Sequence, residues 1–404
     1  MAAEAATGRS NMAQDLRSYL EQIKRRKPED FKIVAKPVDP AYEITALVVK
    51  LEREAKQRPV LLFENVKGTK FPVLTNLHAS RPRLAAAMGV APEETQRAYL
   101  RAMEKPLAPK VVKTGPVKEV ILTGQKINLY DLPQMVHHEG DAGPYLTAAI
   151  SFAKDPTAEV WNCAYNRLMI KGRDTTSIHL TTGKHLWEFH RIAESRGEPL
   201  PVALVIGVHP AIALGALAIG SIDEDERYSL GERQREVVRV KAITHRRDAM
   251  FQDITVAHLD HLLLSTIPIE ANLYRAVRAM VPSVKAVRVP GPFTCFVSIE
   301  QRVPGQAKNA IMAVLGADLY MKRVVVVDHD VTPAAPTSTP RRGRTATRQS
   351  GAWTRRPSPR SPPTRRATAC RPRSGSGSTS RTSSRSGGGA ELRQPSRGER
   401  GPLA

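Results

Sequence analysis

Residues 137–150 read HHEGDAGPYLTAAI, and residues 161–173 read WNCAYNRLMIKGR. Both stretches carry short apolar runs with aromatic and β-branched side chains, bounded by Gly, Asp and Pro, a pattern that predicts strands. A third stretch, TTGKHLWEFH at 181–190, contains a Gly-Lys pair followed by apolar side chains at helical spacing. The region therefore reads as strands with one inserted helix.

The same strand pattern extends outward, from about residue 113 to residue 254. Gly, Pro and Asp separate β-rich runs, which read VKEVILTG, YLTAAISFA, WNCAYNRLMI, PVALVIG and VVRVKAITHR. Only HLWEFHRIAESRG interrupts them with a helical period. We interpret this part of the chain as a mixed β-barrel with an inserted helix.

Both flanks of the barrel segment read as α/β units. Before it, two amphipathic helices precede a strand at 59–63, and Ser80 is a predicted N-cap of the next helix. After it, from Pro268, the runs EANLYRAVRAMV, FTCFVSIE, NAIMAVLGADLY and RVVVVD alternate helix and strand. We predict an N-terminal α/β domain at 12–110, a split β-barrel at 111–262, a shortened C-terminal α/β domain at 263–335 and a tail at 336–404.

The tail differs sharply in composition. It holds 16 arginines and two acids, so it carries +14 of the net charge of +22, and it contains no Ile, Val, Phe, Tyr or Met. Such a segment cannot bury enough apolar surface to offset its ordering entropy, so it is predicted to be disordered. Two explanations stay open: a genuine basic tail, or an out-of-frame reading of GC-rich DNA.

Several protein classes are excluded by the sequence. There is no run of 18 apolar residues and no apolar stretch near the N-terminus, so neither a transmembrane helix nor a secretory signal is expected. The three cysteines, Cys163, Cys295 and Cys370, have no paired spacing. This favours a reducing, cytoplasmic location over a disulfide framework or a zinc ribbon.

Three side chains in the opening stretches have chemistry suited to a site. Asn162 and His185 offer an amide oxygen and an imidazole, a donor set that suits Mn²⁺ or Mg²⁺ better than zinc. Arg167 follows Asn162 by five residues and could bind a carboxylate or a phosphate as a planar fork. Each residue alone is also compatible with a purely structural role.

Together these motifs resemble the UbiD-type decarboxylases. The resemblance rests on EGDAGPY, on N-x-A-x-x-R from Asn162 to Arg167 and on Gly-Lys-His before a helix. IGSIDEDE, AITHRRDAMFQDI, VPGPFTCFVSI and MKRVVVVDHDV follow in the same order, so the similarity spans about residues 12–331. It implies non-oxidative, reversible decarboxylation of an aromatic or α,β-unsaturated acid with prenylated FMN, supplied by a flavin prenyltransferase.

The resemblance also implies roles for individual residues. Asn162 and His185 match ligands of a divalent metal, usually Mn²⁺, that bridges to the cofactor phosphate; His179 is an alternative to His185, and K⁺ is a further candidate ion. Arg167 matches the catalytic arginine. The implied flavin contacts are the backbone of Tyr165, Asn166 and Arg167. Lys184 and Lys322 are the further implied cofactor-binding residues, with Lys322 near the phosphate. A homo-oligomer is implied where the C-terminal domain is intact.

One departure from the family is internal. Family members carry a long segment between the IDEDE and ITHR stretches, with a glutamate that is the third metal ligand and acids that handle the proton. Here the interval is only RYSLGERQREVVRVKA, residues 227–242, and neither Glu232 nor Glu236 sits in a matching motif. A catalytically incomplete family member is therefore an alternative hypothesis. Nucleic-acid binding through the basic tail is a minor one, because Trp353 is its only aromatic residue available for stacking.

Overall fold

The structure is a computed structural model that describes residues 15–107, 109–217, 236–291 and 293–333, with 353–355 and 368–370. The predicted mixed α/β class is confirmed. Within the described ranges, no helix is long and apolar enough to cross a membrane.

The N-terminal region is an α/β unit. Its elements are α1 (Leu16–Arg26), β1 (Phe31–Val34), α2 (Glu43–Arg53), β2 (Val60–Phe63), β3 (Val73–Thr75), α3 (Arg81–Ala87) and α4 (Thr95–Glu104). The apolar face of α1 is buried, as its spacing predicts. Ser80 does hold the N-cap position of α3, but its side chain makes no capping hydrogen bond, which corrects that part of the prediction.

The central region is rich in short strands. Its elements are β4 (Val120–Thr123), β5 (Tyr145–Leu146), β6 (Ile150–Lys154), β7 (Trp161–Tyr165), β8 (Leu168–Ile170), β9 (Thr175–Ile178), α5 (His185–Ser195), β10 (Val202–Val205), α6 (Pro210–Gly215), β11 (Glu236–Arg239), β12 (Ala242–His245) and β13 (Phe251–Gln252). The strands lie in small antiparallel sheets with the orders β10-β6-β7, β11-β9-β8-β5 and β12-β4. The inserted helix predicted between the strands is α5.

The first sheet joins the N-terminal and central regions. Its order is β1-β2-β3-β13, so β13 returns from the end of the central region to pair in parallel with β3. One buried cluster then spans both regions, with Phe63 and Ile44 from the N-terminal part and Leu168 and Ile178 from the central part. This shared core fixes the position of the central strands relative to the N-terminal helices.

The C-terminal region packs two helices against a sheet. Its elements are α7 (Leu259–Met280), β14 (Val284–Gly291), β15 (Thr294–Ile299), α8 (Gln306–Ala317), β16 (Arg323–Asp328), β17 (Val331–Pro333), β18 (Trp353–Arg355) and β19 (Thr368–Cys370). The sheet order is β14-β15-β16-β19, and β17 pairs with β18. Cys295 is fully buried in this region.

The structure differs from the prediction at the start of the C-terminal domain and within the tail. The helix predicted around 270–281 begins at Leu259, with Pro268 inside it, and so crosses the predicted domain boundary at 262. In the tail, β18 and β19 are short strands within the segment predicted to be disordered. The other residues of the tail lie outside the described part of the chain. Residues 227–235 of the shortened interval, which include Glu232, lie outside it as well. The domain boundaries remain predictions.

Candidate functional site

The site begins where β7 meets the start of α5. Asn162 is the second residue of β7 and pairs with Ala153, while His185 is the first residue of α5. His185 Nδ1 lies 3.2 Å from Asn162 Oδ1. Asn162 is half-buried and His185 is exposed, so the two donor groups meet at a position open to solvent.

This pair fits part of a metal shell. Neighbouring ligands in an octahedral shell with bonds of about 2.1 Å are about 3 Å apart, so the observed spacing suits two adjacent positions around one cation. An amide oxygen and an imidazole nitrogen are also donors that Mn²⁺ accepts. Among the described residues, however, no group of three or more His, Cys, Asp or Glu side chains could hold a metal ion.

The connection from β7 to β8 is tied to the segment after β9. The backbone N–H of His179 donates to the carbonyl of Arg167 at 3.1 Å, and Asn166 Nδ2 donates to the carbonyl of His179 at 3.2 Å. These bonds use the backbone of His179 to hold Asn166 and Arg167, whereas His185 brings its ring to Asn162.

A cavity opens beside this connection. Arg167 lines it and is half-buried. The described residues around the cavity are Thr147, Tyr165, Asn166, Arg167, Leu217, Ile254, Val256, His261 and Leu264. Burial, with a smaller effect of the Asp260 carboxylate, raises the pKa of Tyr165, so its phenol stays protonated. The cavity therefore combines an apolar wall with a guanidinium and other hydrogen-bond donors.

A buried network supports one side of the cavity. Thr147 Oγ1 donates to Asp253 Oδ1 at 2.9 Å and accepts from the backbone N–H of Ile254 at 3.2 Å. His137 Nε2 lies 3.0 Å from the same carboxylate, and both side chains are almost fully buried. His137 thus has a buried partner, and His138 stacks on His258.

The two predicted lysines occupy different places. Lys184 is the N-cap residue of α5 and directly precedes His185 in the chain. Its role at a cofactor stays a prediction. Lys322 lies just before β16 in the C-terminal sheet, with its ammonium 4.7 Å from the centre of the Phe293 ring. A role for Lys322 at a cofactor phosphate stays a prediction.

Sequence reasoning missed His261 and Thr147 as residues of the cavity. The cavity gathers residues from β7 and the β7–β8 connection, from the segments after β5, α6 and β13, and from the first two turns of α7. These parts are far apart in the chain. His261 belongs to no motif that we identified, so only tertiary structure could have indicated it.

Sequence profiles of three domains match the chain. The N-terminal domain of 3-octaprenyl-4-hydroxybenzoate carboxy-lyase matches residues 24–103, its Rift-related domain matches residues 110–231, and its C-terminal domain matches residues 262–339. The three domains follow in the order of the chain and together cover more than half of it.

Individual proteins agree with the profiles. Anhydromevalonate phosphate decarboxylase of Methanosarcina mazei is 31% identical over 368 residues, which cover 78% of this chain and 84% of that protein. The UbiD-class enzyme HmfF from Pelotomaculum thermopropionicum, in an evolved dimeric form in complex with prFMN, is 36% identical; the match covers 79% of this chain and 87% of that chain, with a TM-score of 0.72. The apo structure of 3,4-dihydroxybenzoic acid decarboxylase from Enterobacter cloacae is 25% identical, covering 80% and 83%, with a TM-score of 0.71.

Proposed function

The chain belongs to the UbiD family of carboxy-lyases, and on that premise we propose that its cavity binds an aromatic or α,β-unsaturated acid whose carboxylate is held by Arg167. The reaction is non-oxidative decarboxylation, reversible in direction: the bond from carbon to carboxylate breaks, CO₂ leaves, and the carbon takes up a proton. Prenylated FMN is the proposed cofactor.

The observation that carries this proposal is the composition of the cavity. Arg167 lies in a wall that otherwise includes Leu217, Ile254, Val256 and Leu264. A pocket with an apolar lining and few polar groups suits a flat apolar molecule with one charged end. A guanidinium can bind a carboxylate through two parallel hydrogen bonds, so it orients as well as attracts the acid.

The proposed cofactor contacts surround the same connection. The backbone of Tyr165, Asn166 and Arg167 would line the flavin ring, and Lys184 and Lys322 would bind its phosphate. The bound flavin supplies an electron sink, while the protein orients the acid and excludes water. HmfF, which was solved with prFMN, supports a flavin at this fold.

For the metal, we propose that Asn162 and His185 bind Mn²⁺ or another divalent cation at the flavin phosphate. The 3.2 Å spacing of their donor atoms and the chemistry of those donors support this assignment over one that uses His179. A role for K⁺ is a weaker proposal, since no described contact favours it.

A catalytically incomplete family member is the second candidate function. It is favoured by the short interval at 227–242, where neither Glu232 nor Glu236 sits in a matching motif. Within the described ranges, no group of three or more His, Cys, Asp or Glu side chains could hold a metal ion. Such a chain would bind flavin and acid weakly and would turn over no substrate. Resequencing the codons for residues 227–236 and 330–404 tests whether the short interval and the tail are genuine.

The decisive experiment is expression of the full chain together with a flavin prenyltransferase. We expect the purified protein to carry a flavin absorbance spectrum and stoichiometric Mn²⁺, and to release CO₂ from 3,4-dihydroxybenzoate or another acid in a panel of aromatic and unsaturated acids. A folded protein that stays colourless contradicts the proposal. A flavin-loaded protein that releases no CO₂ from any acid supports the incomplete alternative.

Further proposals concern the location of the protein, its cofactor supply and its oligomeric state. The cysteine pattern favours a cytoplasmic location, the cofactor requires a flavin prenyltransferase as supplier, and family resemblance favours a homo-oligomer. Light scattering of the full chain tests the last of these. The basic tail lies mostly outside the described residues, so nucleic-acid binding through it remains a minor alternative, testable by deletion of residues 336–404 and heparin chromatography.

A further inference from the structure

Tyr165 brings a phenol to the cavity, and this side chain has no role in the proposed function. Tyr165 ends β7, is half-buried and lines the cavity together with Arg167, which follows it by two residues. Residues two apart in an extended chain project to the same side. We therefore expect the phenol and the guanidinium on one side of the connection from β7 to β8.

The ring of Tyr165 is held by apolar packing. It packs against a buried cluster that includes Tyr99, Ile254 and Leu264, and the last two of these also line the cavity. A tyrosine side chain combines a large apolar ring with only two rotatable bonds that place it. Packing of the ring therefore also fixes the position of the hydroxyl.

The hydroxyl of Tyr165 makes no hydrogen bond to another described residue. Two other polar side chains of the cavity do use their donors within the protein: Thr147 Oγ1 donates to Asp253 at 2.9 Å, and Asn166 Nδ2 donates to the carbonyl of His179 at 3.2 Å. A tyrosine hydroxyl among apolar side chains usually has a hydrogen-bond partner. We therefore expect a ligand in the cavity to supply the acceptor.

The phenol is a neutral donor. Burial raises the pKa of Tyr165, and the charge of the Asp260 carboxylate adds a smaller effect in the same direction. Asp260 accepts from the backbone N–H of Asn76 at 3.1 Å and of His78 at 2.6 Å, and no described hydrogen bond joins it to the phenol. A phenol that keeps its proton can donate to an anion without repelling it.

We propose that the Tyr165 hydroxyl donates a hydrogen bond to the substrate carboxylate that Arg167 binds, which makes Tyr165 a second substrate-binding residue. An ionised carboxylate has about four lone-pair sites, so it can accept two bonds from a guanidinium and a third from a phenol. This inference rests on the proposed function, because it assumes that the acid lies in this cavity with its carboxylate at Arg167. It gives the side chain of Tyr165 a role beside the flavin contact proposed for its backbone.

The hydrogen bond acts on the binding of the acid. The carboxylate loses its charge as CO₂ forms, so a donor to it interacts more strongly with the bound acid than with the transition state. Such a donor contributes to affinity rather than to the bond-breaking step. A hydrogen bond to a charged group corresponds to roughly 10- to 150-fold in affinity.

The test measures binding to the full chain loaded with FMN, so it does not depend on turnover. Calorimetry compares benzoate with nitrobenzene, an isostere that carries no net charge and is a weak acceptor. We expect Tyr165→Phe, which keeps the packed ring, to weaken benzoate by about 10-fold or more and nitrobenzene by no more than about 2-fold. Tyr99→Phe is the matched control. It removes a phenol hydroxyl from the same cluster, one that donates to the carbonyl of Leu214 at 3.3 Å, and it should leave both affinities unchanged.

The outcomes separate the two proposals. If Arg167→Ala weakens benzoate but Tyr165→Phe does not, the role of Tyr165 is wrong and the proposed function stands. Equal losses of benzoate and nitrobenzene in Tyr165→Phe would mean that the phenol acts through packing, which also overturns the inference. If Arg167→Ala leaves the affinity for benzoate unchanged, or if the folded chain takes up no FMN or binds no benzoate, both proposals are wrong.

Infrared spectroscopy of bound benzoate gives an independent readout. With carbon-13 in the carboxylate, its stretching band is separated from those of the protein. We expect this band to shift between the wild-type chain and Tyr165→Phe, because the carboxylate loses one hydrogen bond. An unshifted band would contradict the inference, whatever the change in affinity.

Discussion

Asn162 and His185 are 23 residues apart in the sequence, yet the oxygen of one side chain lies 3.2 Å from the imidazole nitrogen of the other. The approach arises because β7 and the first turn of α5 lie side by side at the edge of the central region, with β8 and β9 between them in the chain. Two polar side chains that make a single mutual contact at a solvent-open position contribute little to stability. We propose that the pair is instead arranged to share a ligand.

The first prediction concerns that ligand. In flavin-loaded protein, Asn162→Ala and His185→Ala should each remove bound Mn²⁺, since each deletes one of two neighbouring donors. His179→Ala should retain the metal, because the described hydrogen bonds of His179 to this site use its backbone. Metal content by atomic emission and Mn²⁺ binding by electron paramagnetic resonance provide the measurements. Loss of Mn²⁺ in His179→Ala alone would reverse the assignment.

The second prediction concerns Arg167. Replacement by Lys keeps the charge but removes the planar fork, so we expect kcat/KM to fall by roughly 10²-fold, the loss typical of deleting one well-placed donor from an active site. Arg173→Lys is a matched control, because Arg173 is exposed beyond β8 and does not line the cavity. Equal activity of both variants would show that Arg167 does not orient the substrate.

Particular residues show which parts of the fold and of the candidate site the sequence could predict. The ordered motifs singled out Asn162, Arg167 and His185; the structure brings Asn162 to His185 and places Arg167 on the cavity, and their roles remain predictions. Most central strands were predictable from short apolar runs between Gly, Pro and Asp. The start of α7 was not, because Pro268 suggested a boundary. Proline removes one backbone hydrogen bond, and here the buried helix around it tolerates that loss.

His261 shows the other limit of sequence reasoning. Its neighbours in the cavity come from positions 147, 165–167, 217, 254 and 256, and no local period connects them. A motif search finds residues that are close in the chain, whereas this cavity depends on how β13 and α7 return to the central strands. For the same reason, the buried partners Asp253 and His137, 116 residues apart, could not be predicted.

The third prediction is a pH dependence of stability caused by His137. Burial alone lowers the pKa of His137, but the charge of Asp253, their hydrogen bond and the charge of Asp141 outweigh it, so the pKa is raised. A raised histidine pKa stabilises the folded state fully below the unfolded pKa of about 6.5. The free energy of unfolding should therefore fall as pH rises from there through the folded pKa, and His137→Gln should lack this fall. Urea unfolding at a series of pH values provides the measurement.

His209 is the matched control for that experiment. Burial lowers its pKa, and its Nδ1 accepts a hydrogen bond from the backbone N–H of Ala211, which requires the unprotonated nitrogen. Its contribution has the opposite sign: stability falls as pH drops below about 6.5, where the unfolded chain takes up the proton first. If His137→Gln and His209→Gln changed the pH profile in the same direction, the assignment of His137 as a protonated partner of Asp253 would be wrong.

The fourth prediction concerns Glu270, which joins the N-terminal helices to the C-terminal sheet. This carboxylate on α7 is 1% exposed and accepts from Arg81 at 2.7 Å, from the backbone N–H of Val289 at 3.0 Å and from Arg288 at 3.3 Å. Glu270→Gln leaves two guanidinium groups without their shared counter-charge, so we expect the free energy of unfolding to fall by about 3 kcal/mol. Glu300 is the control: it pairs with Lys285 at 2.7 Å at the surface, and Glu300→Gln should leave stability unchanged. Urea unfolding followed by circular dichroism compares the two. Equal effects of both substitutions would mean that the buried carboxylate does not hold α3, α7 and β14 together.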